Sequence, residues 1–170
     1  MASISESGTV ISFAEYSDVL RRDQRLFDNN ESLTDDVVEQ SLERATDRII
    51  TKIRNTEWWQ SYFLQQDGGT TSIRTRADIP SPTINNITGR SADFTDLCVY
   101  LALSEFILPS VADFGVEDDA ERQKMGYYTT KFEMLFEELI NAGDWYDFDG
   151  DTNIVSSEKE PGQIRLKRIR

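Results

Sequence analysis

A chain of 170 residues is about one globular domain of polypeptide, and its 38% hydrophobic and 11% aromatic content supplies enough apolar surface to close a core. A formal net charge of −13 repels phosphate backbones and anionic lipid surfaces, which weighs against DNA reading and membrane docking. The chain has no histidine, which removes the usual general base, the commonest nitrogen ligand for metals and every Ser-His or Cys-His nucleophile pair, so no enzyme is expected.

The first expected element is a short N-terminal helix. Ser12 and Glu15 have capping-box spacing, and Phe13, Tyr16 and Leu20 follow at helical intervals before the polar break Asp28-Asn29-Asn30. The first of three principal helices starts after Thr34, whose hydroxyl is placed to cap free N–H groups. Leu33 and Val38 form a hydrophobic staple around it, and Asp35 and Asp36 complement the positive helix end. Val38, Leu42, Ala45, Ile49 and Ile53 trace one apolar stripe, and the spacing carries this helix to Trp58-Trp59.

From 65 to 90 the composition turns to Gly, Ser, Thr, Asn and Pro, with a strand-like alternation at Ser72-Ile73-Arg74-Thr75-Arg76. A structureless loop of that length is uncommon inside a compact domain. It reads as a projecting arm or hairpin that touches a neighbouring subunit through Ile73, Arg74, Arg76, Ile79, Ile84 and Ile87. A mobile solvent loop is the plainer alternative.

Asp93 and Asp96 are placed to cap a second principal helix, apolar on nearly every side, that the sequence ends at Pro109. The lone Cys98 lies in its apolar run and reads as a small buried hydrophobe. Glu117-Asp118-Asp119 open a third helix with Met125, Tyr128, Phe132, Leu135, Phe136 and Leu139 on one face, and Gly143 stops it. No apolar stretch approaches the roughly 18 residues that span a bilayer and no basic-then-apolar signal opens the chain, so a soluble, cytoplasmically made product without a membrane partner is expected. The fold class is therefore mainly α: a small bundle of three principal helices and a short N-terminal one, in a single domain over 1–160 that includes the 65–90 arm.

Chemistry concentrates near the C-terminus. Counting Asp147 as the first position of a calcium loop puts Asp149 and Asp151 at the third and fifth and Glu158 at the twelfth, so alternate acidic residues turn oxygens toward one hard cation. Thr152 sits where such a loop wants glycine, and Pro161-Gly162 replace the helix that normally follows. An acidic structural turn is the other reading. No stretch matches a phosphate-binding loop or a dinucleotide fingerprint, and no other cofactor is expected. The clusters Trp58-Trp59 with Tyr62-Phe63, and Trp145-Tyr146 with Phe148, fit core closure or an oligomer interface.

Residues 161–170 form a basic tail. Arg165, Lys167, Arg168 and Arg170 give it +4, leaving −17 for residues 1–160 by subtraction. Ile164, Arg165, Leu166, Lys167, Arg168, Ile169 and Arg170 begin with a strand's alternation and could add to a partner's sheet edge; a disordered terminus is the alternative.

The run from Tyr16 to Phe27, the helix opened by Leu33-Thr34-Asp35-Asp36 and ending in Trp58-Trp59, and the closing Trp145-Tyr146-Asp147-Phe148-Asp149-Gly150-Asp151 resemble the head-tail connector adaptor proteins of tailed bacteriophages. The resemblance covers about 13 to 155. It implies a structural subunit of the virion neck, a homo-oligomeric ring of twelve copies between the portal protein and the next tail or neck protein, with DNA passing non-specifically through the lumen. The tail at Ile164–Arg170 is where such a protein would grip the portal. An acidic bore would let DNA slide without sticking. The rival reading from a different class is a soluble acidic module that binds calcium or a peptide.

Overall fold

The computed structural model describes residues 5–6, 9–115 and 120–159. The fold is mainly helical. A two-residue antiparallel pair, β1 (Ser5–Glu6) and β2 (Thr9–Val10), precedes α1 (Tyr16–Arg22), α2 (Gln24–Asn29), α3 (Asp35–Arg54), α4 (Glu57–Asp67), α5 (Ser91–Ala102), α6 (Leu108–Val111) and α7 (Ala120–Ala142). The acidic cluster Glu117-Asp118-Asp119 lies outside the described residues.

The N-terminal capping box sits three residues later than the spacing of Ser12 and Glu15 suggested, at Glu15 and Asp18. Glu15 is the N-cap of α1, and its N–H donates to Asp18 Oδ2 at 3.0 Å. Ser12 is drawn into the core instead, where its hydroxyl donates to Ala14 O at 2.9 Å. Phe13 N–H donates to Thr46 Oγ1 on α3 at 3.2 Å, so this stretch is fastened to the bundle before the helix begins.

Thr34 holds the N-cap position of α3, but its hydroxyl makes no capping bond. Leu33 and Val38 are both buried, as a staple requires. Val38, Leu42, Ala45, Ile49 and Ile53 are all buried along one face. The helix does not run on to Trp58-Trp59. It stops at Arg54 because Thr56 turns extended, donates its hydroxyl to Ile53 O at 2.6 Å and accepts Trp59 N–H at 3.2 Å, thereby capping a separate helix, α4. Gly68, at φ 58°, closes α4 with the left-handed turn that glycine adopts without strain.

Helix α5 begins at Ser91, two residues before Asp93, behind Arg90 in a left-handed conformation at φ 51°. It does not end at Pro109. A π-turn at Leu103–Ile107 widens the backbone ahead of the proline, which has no N–H to return to the preceding turn, and α6 then continues to Val111. The continuous stretch Ser91–Val111 thus reaches 21 residues, long and apolar enough by length and composition to cross a bilayer, contrary to the sequence expectation. In this fold more than half of it is buried: α5 packs chiefly against α3 and α7 and forms the centre of the bundle.

On α7, Tyr128, Phe132 and Leu139 are buried, with Met125, Leu135 and Phe136 half-buried at the margin. Cys98 is fully buried at the α3–α5 contact, 3.4 Å from Thr46 Oγ1. Burial pushes its thiol pKa up to about 11, so it remains a neutral packing group. Each fully buried Leu or Ile in this core stabilises the fold by ~1.5–3 kcal/mol.

The segment 68–90 folds back onto its own chain from Ala77 onward, while 68–76 are exposed apart from the half-buried Ile73. It contains no strand at Ser72–Arg76, only a 3₁₀ turn at Arg76–Asp78 with a Thr75/Asp78 capping box and a second at Ile84–Asn86. Arg54 donates to Ala77 O at 2.7 Å and Ile79 O at 3.0 Å, and the Trp59 indole donates to Pro80 O at 2.9 Å. Ile79 and Ile87, expected to reach a neighbour, are buried in their own chain's core, while Ile73 and Ile84 are half-buried against it. In the alternating stretch Ser72–Arg76 only Ile73 is half-buried, while Arg74 and Arg76 stay exposed.

Candidate metal centre

The acidic loop is positioned by the end of α7 and by the folded-back segment. Gly143 ends α7 at φ 60°. Two residues on, Trp145 is 0% exposed: its indole N–H donates to Leu139 O at 2.8 Å, and its ring lies 4.9 Å from Trp58 and 5.3 Å from Phe94. The chain then runs antiparallel to residues 86–89. Gly89 N–H donates to Trp145 O at 3.1 Å, Asp147 N–H donates to Asn86 O at 2.8 Å, and Ile87 bridges Tyr146. The approach is so close at Gly89 that a Cβ there would stand 2.6 Å from Asp144 O and 2.8 Å from Trp145 Cα.

From this anchor the chain closes into an acidic turn in which Asp147 is buried while Asp149 and Asp151 are exposed. Asp147 is 1% exposed, and its two oxygens accept N–H groups from Gly150 at 2.8 Å and Thr152 at 2.6 Å. Asp149 accepts from Asp151 N–H at 3.0 Å, and Asp151 from Asn153 N–H at 2.7 Å. Thr152, the residue that counted against a cation loop, stands at φ 75°, the left-handed conformation that glycine would otherwise supply. Glu158 closes the loop: Oε1 accepts from Phe148 N–H at 2.8 Å and Asp149 N–H at 3.2 Å, and Oε2 accepts from Val155 N–H at 3.0 Å.

One oxygen each from Asp147, Asp149 and Asp151 falls within 4.8 Å of the others, so these three carboxylates could hold a metal ion. Glu158 lies outside that convergent trio, its oxygens engaged with backbone amides. The electrostatics are those of crowded anions. The bond from Asp151 N–H lowers the Asp149 pKa, but desolvation and the charges of Asp151, Glu158 and Asp147 outweigh it, leaving the group above the usual aspartate value.

The aromatic clusters close the core beside this loop. Trp58 stacks on Tyr62 at 4.9 Å, Trp59 meets Tyr146 edge-on at 4.8 Å, and Phe148 packs on Phe63 at 5.8 Å. Tyr62 is buried, and its hydroxyl finds no hydrogen-bond partner among the described residues. Burial, then the charges of Glu158, Tyr146 and Asp147, raise its pKa. Sequence spacing gave Asp147, Asp149, Asp151 and Glu158 but not Asn86 or Gly89, which support the loop from about sixty positions away and carry no local signal.

Of the other expected contact residues, Arg74 and Arg76 are exposed beside α4. The basic stretch Ile164–Arg170 lies outside the described residues. No protein-family model matches the chain, and neither curated proteins nor solved structures yield a match.

Proposed function

We propose that this chain is a non-enzymatic assembly subunit of the head-tail connector of tailed bacteriophages. It forms one copy of a ring, expected to hold twelve, between the portal and the next tail or neck protein, with DNA passing through the lumen. The observation that carries this reading is the charge division: −17 over residues 1–160 against +4 in the last ten, which suits a bore that repels phosphate and an end that grips a different, acidic partner. The helical body and the resemblance of its Tyr16–Phe27, Trp58-Trp59 and Trp145–Asp151 runs support the same reading. The decisive measurement is imaging of native particles together with mass determination of the chain mixed with its portal. Density for the chain beneath the portal is expected, and a chain that never enters a portal-containing particle defeats the proposal.

A second reading concerns the acidic loop, as a calcium site in a soluble binding module or within the connector. The left-handed backbone at Thr152, together with Asp147 accepting amides at the fourth and sixth loop positions, favours it, because a hard cation requires oxygens converging from a tight turn. Calorimetric titration with calcium should give heat that Asp149→Asn abolishes. Silence at millimolar calcium, the range of weak extracellular modules, removes this reading.

A further inference from the structure

We draw no further inference here: the strongest candidate, the groove between α4 and residues 73–79, mixes the apolar Leu64 and Ile73 with Arg74, Arg76 and Glu57, and nothing in the structure shows what covers it.

Discussion

The bundle and the aromatic, acidic end of this molecule are held together by different means. In the bundle, α3, α5 and α7 bury aliphatic and aromatic side chains against one another, and a residue's role follows from its place in a helical repeat. At the other end there is almost no regular backbone between Asp144 and Lys159, and order comes from carboxylates accepting amide N–H groups under a lid of stacked rings. The first arrangement tolerates exchange among apolar residues of similar volume, whereas the second depends on particular oxygens meeting particular amides.

Truncation separates the two most strongly. Trp145→Ala should destabilise the chain by ~3–5 kcal/mol in urea unfolding, since it removes a fully buried ring and its indole hydrogen bond at the junction of both regions. Ile49→Ala, deep in the bundle, should cost ~2–5 kcal/mol and leave the acidic loop intact by amide chemical shifts. Equal loss of loop signals in both variants would show that the regions unfold as one. Asp147→Ala should cost a smaller ~1–3 kcal/mol, because the N–H groups of Gly150 and Thr152 lose their acceptor. Thr152→Gly should stabilise by about 1 kcal/mol through relief of the left-handed backbone, unless the threonine side chain makes contacts of its own.

The smallest effect is also the most diagnostic. The Asp149 pKa is raised in the folded chain, so folding disfavours its ionised form. The associated stability is present below the unfolded aspartate pKa and fades as pH rises through the folded value. Asp149→Asn should therefore raise the thermal midpoint slightly at neutral pH without added cation, and the gain should vanish in acid. A gain that persists at low pH would mean that charge crowding is not its source.

How far these features could be read in advance follows from the same division. The stripe Val38, Leu42, Ala45, Ile49, Ile53 and the face Tyr128, Phe132, Leu139 were visible because repeat and burial coincide. The break at Thr56 was not, since a threonine within an apolar-periodic stretch reads as continuation until its hydroxyl is seen taking both Ile53 O and Trp59 N–H. Pro109 misled for the converse reason: a π-turn ahead of it keeps the helix going, at a cost that burial of Leu103, Ile107 and Leu108 offsets. The spacing of Asp147, Asp149, Asp151 and Glu158 was legible, while the segment taken for a projecting arm was not recognised as the loop's support, because Asn86, Ile87 and Gly89 meet Trp145, Tyr146 and Asp147 only in three dimensions.

The tight apposition at Gly89 ties the acidic turn to a distant part of the chain. Its partners lie more than fifty residues downstream, so closing the stretch of chain between them carries an entropic penalty that local helix formation does not. A side chain at Gly89 would therefore loosen the acidic turn from a distance, without altering any of its carboxylates.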